Sequence, residues 1–596
     1  MGCLRHRVLA ALAGLVVSLP AGAVGSGMPR STDWTQWAQS SEHRDAAEVP
    51  GRPLDAAAVD YVTDPFVAQE KADTGQDLLV HYQVPLSHGH DLWVEVKSGT
   101  YTPLAPDRSN VATAWNSQVW NERRLRFAHG RAVAKWNFES DWKPVPWPAA
   151  DWEPVFHAAL VGDALFVPGA GGTVFELDAE SGRVRRRFNP FGDAIDPAAY
   201  VAGPISAGAS GDVYYDTLRV GADFHAEGSW LVKIDRGGRV SKVSFADLVA
   251  DAPVTCTTTF DLKQLPWPPA PDAQPPSAPC GIQRAALNVA PAIAHDGTVY
   301  TVSTAELNNR YGYLVAVRPD LTPKWAASLR DRLSDGCGVL IPIAPDDTPR
   351  KNTCRAGTHP GVDPVTNQQP AGQVIPESSS SPTVMPDGNI LYGAYTRYNG
   401  ARGHLFKFSP RGEFLGDFDF GWDVTPSVFV GPDGGEHIVI KDNHYPLSYC
   451  SQKPDVPVSQ VVCALPAAAY YVTQLDADLV PEWIFQSTNT QSCQRGEDGS
   501  LQCVSDHPEG FEWCVNAPVV DHDGVVYANS EDGRLYAIGQ GHHGVFTEPR
   551  QSLFLNLALG AAYTPVSVLP DGFVLAQNNG HLFVVGNRAR RDRGQG

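Results

Sequence analysis

Several short polar segments of the sequence carry side chains of the types that bind small polar ligands or cations. Carboxylate and amide oxygens are the ligands that calcium prefers, and aromatic faces and a few charged groups fix small molecules in pockets. The candidates are Arg284, Asn288, Glu377, Ser379, Arg397, Asp423, Lys441, Asp442, His444, Trp513 and Asn516. The alternative is that these residues are polar because water surrounds them, and that Asn and Ser next to proline satisfy turn backbone.

Asp442 and His444 form a local pair that suggests acid–base chemistry. A histidine titrates near neutral pH, and a carboxylate beside it favours the role of a general base. A hydrogen bond within a loop is the alternative. The sequence contains no G-x-S-x-G elbow, glycine-rich phosphate loop or H-E-x-x-H motif. Neither catalytic nor metal-binding residues can therefore be assigned from motifs.

Ten cysteines are present, and all except Cys3 follow residue 23, which leaves nine. None of them forms a C-x-x-C motif, so disulfides in an oxidising compartment are the favoured interpretation. Neighbours in sequence predict four pairs, Cys256 with Cys280, Cys337 with Cys354, Cys450 with Cys463, and Cys493 with Cys503. Cys514 is left over, either as a buried thiol or as a reactive one.

The elements that position these residues are copies of one repeat, most clearly V-N-A-P-V-V-D-H-D-G-V-V-Y-A-N-S-E-D-G-R-L-Y-A-I-G at 515–539. Three short apolar runs are joined by Asp523-Gly524 and Asp532-Gly533, dipeptides that favour tight hairpin turns. Further copies begin near Pro154, Pro204, Pro291, Pro382, Pro426 and Pro565. Their intervals are about 45 or about 90 residues, so the longer ones contain an insertion.

This repeat predicts an all-β fold, a single β-propeller of four-stranded antiparallel blades over residues 61–586. We predict eight blades, starting near residues 78, 154, 204, 291, 382, 426, 518 and 565, with seven as the alternative. Leu78–Val80 is the predicted first strand of the first blade. The last copy has only three strands, and we expect the N-terminal segment to supply its fourth.

The insertions are predicted to lie on one face of the propeller. Connections between first and second strands, and between third and fourth strands, are short, whereas the long segments connect second to third strands or one blade to the next. In an up-and-down blade both kinds of long connection emerge on the same face. The predicted disulfides close loops there, so we expect ordered insertions around the mouth of the central channel, which is a typical place for binding.

The ends of the chain predict export. An apolar run after Arg5 and Arg7 ends in Ala21-Gly22-Ala23, typical of a signal peptide cleaved after residue 23. Residues 24–60 are predicted to extend over the surface, and the basic tail 587–596 to be disordered. We expect a periplasmic or extracellular monomer without a membrane span. With 46 basic and 66 acidic residues, the chain lacks a basic surface for nucleic acid.

The segments D-G-V-V-Y-A-N-S-E-D-G-R-L-Y-A-I at 523–538 and D-G-T-V-Y at 296–300 resemble the repeat of pyrroloquinoline-quinone (PQQ)-type propellers. The resemblance covers about residues 150–586 and implies a quinoprotein-like propeller, usually with eight blades. It also implies PQQ and calcium as the cofactors of an enzymatic member. The adjacent cysteines and the C-x-x-C-H motif of such dehydrogenases are missing here. Glu377, Asn516 and Asp423 are the nearest counterparts of the calcium ligands and the catalytic aspartate.

Two functions are consistent with these patterns. The first is an exported propeller that binds a small polar ligand or a protein partner at the channel mouth. The second is a quinone- and calcium-dependent oxidoreductase with its site in the same place. The missing cofactor motifs favour the first, and an absorbance change and dye reduction on adding PQQ and calcium would favour the second.

Overall fold

The computed structural model describes residues 33–74, 83–107, 109–110, 113–146, 155–257, 277–329, 372–373, 380–396, 403–420, 424–444, 469–513, 517–541, 544–559 and 565–586. These residues form eight antiparallel sheets, each with four strand positions, arranged as the blades of a β-propeller. The prediction of an all-β, eight-bladed propeller is confirmed, and the seven-blade alternative is wrong. The predicted signal peptide and the basic tail lie outside the described residues.

The strands of each blade follow one another in sequence from the centre outward, and in blades 3, 4 and 5 the first position is split into two short strands. Blades 1 and 2 consist of Leu86–His88, Asp91–Gly99, Gln118–Ala128 and Arg131–Glu139, then Ala159–Val161, Ala164–Gly169, Thr173–Asp178 and Val184–Phe188. Blades 3 and 4 consist of Ala199–Val201 with Ser206–Ala207, Val213–Val220, Ala226–Ile234 and Val240–Ser244, then Gln283–Ala285 with Ala292–Ile293, Val299–Ala305, Asn308–Val317 and Pro323–Ser328. Blades 5 and 6 consist of Gly372–Gln373 with Thr383–Val384, Ile390–Thr396, Gly403–Phe408 and Phe414–Phe420, then Ser427–Val430, Glu436–His444, Ala469–Asp476 and Pro481–Gln486. Blades 7 and 8 consist of Val519–Val520, Val526–Asn529, Arg534–Ile538 and Gln551–Phe554, then Ser567–Val568, Val574–Asn578, His581–Val585 and Ala57–Val62.

The apolar runs of the repeat are explained by packing on both faces of each blade. On the second strand of blade 6, Ile438 and Ile440 pack toward blade 5, whereas Val439 packs toward blade 7. Because alternate residues of a strand point to opposite faces, a strand covered on both sides needs apolar residues at consecutive positions. All three side chains are fully buried.

Asp523-Gly524 forms the turn between the first and second strands of blade 7, and Asp532-Gly533 forms the turn between its second and third strands. In blade 7, Gly524 has a φ of +76°, and its backbone N–H donates to the carbonyl of Asp521 at 2.9 Å. The carboxylate of Asp521 accepts hydrogen bonds from the backbone N–H groups of Asp523 and Val525. A glycine fits there because other residues rarely adopt a positive φ.

The N-terminal strand Ala57–Val62 closes the ring as predicted. It pairs antiparallel with His581–Val585, the third strand of blade 8. Leu78–Val80, predicted as the first strand of blade 1, lies outside the described residues, and Leu86–His88 occupies that position.

Residues 34–52, which we call the axial segment, run around the inner edge of the propeller. Hydrogen bonds join this segment to the eight first strands or their turns in chain order: Trp34 with Ser87, Thr35 with Leu160, Gln36 with Ala207, Ser41 with Ile293, Glu42 with Val384, Arg44 with Val428, Asp45 and Ala47 with Val520, and Arg52 with Gly572. Each contact lies beside the turn between first and second strands. The axial segment therefore occupies the channel at the end where the short turns lie.

Burial of the axial segment corrects the prediction that residues 24–60 extend over the surface. The side chains of Trp34, Trp37, His43 and Asp45 are at most 1% exposed. The segment is polar in composition, but the unpaired edges of the first strands offer backbone groups that need partners. Its two tryptophans supply the apolar contacts. The mean composition of the segment does not reveal these contacts, because only two residues make them.

Two of the four predicted disulfide-linked insertions are within the described residues, and both lie on the face opposite the axial segment, which we call the insertion-bearing face. The hairpin Thr255–Thr257 with Ser277–Pro279 carries the Cys256–Cys280 disulfide, and the hairpin Gln491–Arg495 with Leu501–Ser505 carries Cys493–Cys503. Helix α1, Val67–Thr74, and the short helix α2, Phe245–Leu248, also lie in connections between blades.

One connection between third and fourth strands differs from the prediction that these are all short. In blade 7 it runs from Ile538 to Gln551 and contains the strand Gly544–Phe546, which pairs parallel with Trp483–Phe485 of blade 6. This added strand covers the outer edge of blade 6, where backbone groups would otherwise be unpaired.

Candidate functional site

A pocket of about 480 Å³ lies on the insertion-bearing face between blades 7 and 8. Its walls come from helix α1, the closing strand, the hairpin 491–505, the connection after the fourth strand of blade 7, and the turn between the second and third strands of blade 8. The lining residues are Asp60, Lys71, Cys493, Gln494, Arg495, Phe554, Leu555, Asn556, Leu557, Leu559 and Asn579. Polar groups thus face an apolar side formed by one phenylalanine and three leucines.

The disulfide hairpin 491–505 forms one wall of the pocket. Cys493 and Cys503 are directly opposite each other on its two strands, and Cys493 is buried. One guanidinium nitrogen of Arg495 donates to the carbonyl of Phe554 at 3.3 Å, and the guanidinium carbon lies 5.7 Å from the centre of the Phe554 ring. These contacts hold the hairpin against blade 7.

Replacing Cys493 and Cys503 by serine should loosen this wall. The bond closes a loop with a sequence separation of 10, and loop-closure entropy for a loop of this size is worth roughly 3 kcal/mol. Amide hydrogen exchange of residues 491–505 should accelerate while the blades stay protected. The matched control replaces Cys256 and Cys280, which should affect only the other hairpin. Unchanged exchange at 491–505 would contradict a supporting role for the disulfide.

The charged groups of the pocket are held by named partners. Lys71 Nζ donates to Asn579 Oδ1 at 3.5 Å; burial lowers the pKa of Lys71, and the negative charge of Glu531 opposes this shift. Asp60 Oδ1 lies 2.6 Å from His581 Nδ1. Arg495 donates to two backbone carbonyls, those of Gly499 and Phe554. A carboxylate in the pocket would therefore find a guanidinium whose two hydrogen bonds are to neutral groups.

Lys441 is the sequence candidate whose charge acts on the axial segment. It lies on the second strand of blade 6, and its Nζ donates to Asn529 Oδ1 of blade 7 at 3.1 Å. Burial raises the pKa of Asp45 in the axial segment, and the positive charge of Lys441 opposes that rise. The next residue, Asp442, accepts a hydrogen bond from Thr473 Oγ1 at 3.5 Å.

Trp513 is buried between blades 6 and 7. Its ring packs against Tyr536 at 5.1 Å and Phe485 at 5.9 Å between ring centres, and its backbone is hydrogen-bonded to the side chain of Asn443. Its ring therefore contributes to the packing of the two blades, whereas we predicted it as a residue that binds a ligand.

Arg284 and Asn288 join neighbouring segments of the propeller. Arg284 forms an ion pair with Glu306, which also lies 3.2 Å from His225 Nδ1 of blade 3. Asn288 has a φ of +64°, and its Oδ1 accepts a hydrogen bond from the backbone N–H of Val155 at 3.0 Å. Asn288 thus satisfies backbone, as the alternative interpretation of these polar residues expects.

The remaining candidates fall on residues or side chains outside those that the structure describes. The residues that lie outside the described part of the chain are Glu377, Ser379, Arg397, Asp423, Asn516, Cys337, Cys354, Cys450, Cys463 and Cys514. His444 ends the second strand of blade 6, and its side chain is not among the described atoms.

Comparisons with known proteins support the fold. No protein-family profile and no curated protein matches the chain. The quinohemoprotein alcohol dehydrogenase from Comamonas testosteroni matches with a TM-score of 0.50 and 12% identity, over 95% of this chain and 82% of that chain. This chain has the quinoprotein-type propeller fold. The europium-containing methanol dehydrogenase (TM-score 0.47, 11% identity, 91% and 89% covered) and BamB from Moraxella catarrhalis (0.34, 10%, 78% and 94%) are also similar.

The pocket residues of this quinoprotein-type propeller were missed by sequence reasoning. Asp60, Lys71, Arg495, Asn556 and Asn579 come from five separate segments, and closure of the ring brings them together. Only the hairpin 491–505 could be recognised from the sequence, because its two cysteines predict an ordered insertion. Among the described residues, no three His, Cys, Asp or Glu side chains are grouped so that they could hold a metal ion, and no helix is long and apolar enough to cross a membrane.

Blade 1 contains a buried pair of carboxyl groups. Glu95 and Glu122 are directly opposite on adjacent antiparallel strands, and both are buried. Side chains at such positions have Cβ atoms about 4.5–5.5 Å apart. Burial raises the pKa of both carboxyl groups, and the charge of Glu122 raises that of Glu95 further.

This pair should make the protein less stable as the pH rises. A carboxyl group whose pKa is raised in the folded state contributes stability below its unfolded pKa of about 4.3, which is lost as the pH rises toward the folded pKa. The slope is at most about 1.4 kcal/mol per pH unit for each carboxyl group. In urea unfolding between pH 5 and pH 9, the free energy of unfolding should fall less steeply with pH for Glu122→Gln than for the wild type. The exposed Glu139→Gln is the control. If the free energy of unfolding fell equally steeply with pH for all three proteins, the raised pKa of this pair would be refuted.

Proposed function

We propose that the protein is an exported propeller that binds a small polar molecule on its insertion-bearing face. Export is supported by the leader-like N-terminus and by the two disulfides, which are typical of oxidising compartments. The pocket between blades 7 and 8 is the proposed site.

The observation that carries this proposal is the construction of the pocket. Its volume of about 480 Å³ is within the range of sites for small molecules. Its polar side chains converge from several insertions onto an apolar side formed by Phe554, Leu555, Leu557 and Leu559. Convergent polar groups beside an apolar area are a feature of binding sites for small polar molecules.

The scaffold under the pocket is a closed ring of hydrogen-bonded blades, which favours a binding role. The axial segment is hydrogen-bonded to all eight blades at the other end of the channel. A ligand on the insertion-bearing face would therefore meet loops whose bases are fixed. Less ordering of the protein on binding means a smaller entropic cost.

A thermal-shift screen of sugars, sugar acids, amino acids and small organic acids tests the proposal. Compounds that raise the melting temperature of the wild type should fail to do so for Gln494→Trp, whose larger side chain would fill the pocket. Gln494 is exposed and lines the pocket. Val504→Trp, on the same hairpin but outside the lining, is the matched control and should respond like the wild type. Compounds that stabilise all three proteins equally would place binding elsewhere.

Quinone- and calcium-dependent oxidation is the second candidate, favoured by the buried polar side chains that Lys441, Asn529 and Asp45 bring to the channel. The residues nominated for calcium, Glu377, Asn516 and Asp423, lie outside the described residues, so no step is assigned to them. PQQ and calcium added to the protein should produce an absorbance shift and dye reduction with alcohols or sugars if this candidate is correct. The absence of a spectral change at saturating cofactor would exclude the oxidoreductase and leave ligand binding as the proposed function.

A further inference from the structure

We infer that the pocket between blades 7 and 8 selects a small organic carboxylate with an apolar skeleton. This inference rests on the proposed function and adds the chemical class of the ligand. It depends on the arrangement of two cationic side chains and an apolar wall around one cavity.

Arg495 is the group that would bind the carboxylate. Its guanidinium lines the pocket, and its two hydrogen bonds go to the backbone carbonyls of Gly499 and Phe554 at 3.0 and 3.3 Å. A guanidinium has five N–H donors in a planar fork, and two parallel donors match the two oxygens of a carboxylate. Two hydrogen bonds to carbonyls leave donors that such a ligand can use.

Lys71 adds a second positive charge on the wall that helix α1 provides. Its Nζ is held by Asn579 Oδ1, so the ammonium group is directed by an amide that also lines the pocket. The one carboxylate of the lining, Asp60, is bound by His581 at 2.6 Å. The lining thus has two cations and one carboxylate, and the charge of Glu531 also acts on Lys71, in a chain with a net charge of −20. A small anion would be attracted to this place in an otherwise repulsive surface.

The apolar wall determines the rest of the ligand. Phe554 and Leu555 are buried at its base, and Leu557 and Leu559 are partly exposed beside them. Burying apolar area there is favourable, so a carboxylate with an aliphatic or aromatic skeleton should bind more tightly than acetate. Gln494 and Asn556 can hydrogen-bond a further polar substituent.

Calorimetric titration with two matched series tests this inference. The probes are benzoate, benzamide and benzylamine, and hexanoate, hexanamide and hexylamine. In each series the carboxylate should bind at least about tenfold more tightly than the amide, because a hydrogen bond to a charged group is worth about 1.5–3 kcal/mol. The amine should bind least.

Variants of the two arginines that lie near Phe554 make the test specific. Arg495→Gln should lower carboxylate affinity by about tenfold or more, and Arg495→Lys should have an intermediate effect because it keeps the charge without the planar fork. Arg534, whose guanidinium carbon lies 5.9 Å from the Phe554 ring centre, is outside the lining, so Arg534→Gln should have little effect. Thermal melting confirms that each variant is folded.

The outcomes separate this inference from the proposed function. If the amides bind as tightly as the carboxylates, and Gln494→Trp abolishes their binding, the pocket is a ligand site but its selectivity for anions is refuted. Carboxylate binding that Arg495→Gln leaves unchanged overturns the role of Arg495. Failure of all six probes at millimolar concentration overturns the inference, and the wider thermal-shift screen then decides whether the proposed function stands.

Discussion

Deletion of residues 33–62 is expected to prevent the protein from folding into a closed ring. These residues supply the fourth strand of blade 8 and the hydrogen-bond partners of all eight first strands. Loss of the buried Trp34 and Trp37 side chains alone would remove about 3–5 kcal/mol each. Total stabilities of folded domains are about 5–15 kcal/mol, so the remaining chain should lack a cooperative urea transition.

The control for this deletion is a chain that begins at Asp33 and keeps the axial segment and the closing strand. It should unfold cooperatively, and Trp37→Ala in the same chain should lower the free energy of unfolding by about 3–5 kcal/mol. A synthetic peptide of residues 33–62 should restore part of the structure of the deleted chain. If the deleted chain unfolded at the same urea concentration as the control, the axial segment would have no structural role.

Replacement of Lys97 by methionine should destabilise the protein by about 3–5 kcal/mol, because it leaves buried carboxylates without their cation. Lys97 Nζ lies 2.8 Å from Asp64 Oδ2 and 3.4 Å from Glu70 Oε1, and its side chain is 1% exposed. Glu70 also accepts a hydrogen bond from Gln118. Since Glu70 lies on helix α1 beside Lys71, the change should also loosen one wall of the pocket.

The pH dependence distinguishes this electrostatic effect from a simple packing defect. Burial raises the pKa of Glu70 and the charge of Lys97 opposes the rise, so removing Lys97 should raise this pKa further. The cost of the Lys97→Met change should therefore be larger at pH 8 than at pH 5.5, because a carboxyl group with a raised pKa loses more stability the further the pH lies above its unfolded pKa. Glu70→Gln in the same background should restore part of the loss. A loss below about 1 kcal/mol, or one independent of pH, would contradict the account.

The blades and their order could be predicted from the sequence because both depend on local patterns. The repeat at 515–539 combines apolar strands with Asp-Gly turns, and the structure has strands Val519–Val520, Val526–Asn529 and Arg534–Ile538 in that segment. The fourth strand of the last blade was also predictable, because the final copy lacked one.

The axial segment and the pocket could not be predicted, since they depend on contacts between distant segments. Residues 34–52 show no period, because their partners are backbone groups of eight different strands. Glu95 and Glu122 lie opposite each other only because of the register of their two strands, which the sequence of the connecting loop does not reveal. Asp60 and Asn579 are more than 500 residues apart in sequence and meet only because Ala57–Val62 closes the ring.

Hydrogen–deuterium exchange of the whole protein, with and without the most stabilising compound of the thermal-shift screen, tests the central claim most directly. The account predicts slower exchange in residues 491–505 and 554–559 and in helix α1, which form the pocket, and no change at the short turns on the opposite face. Protection confined to those short turns, or no protection anywhere despite saturating compound, would contradict it.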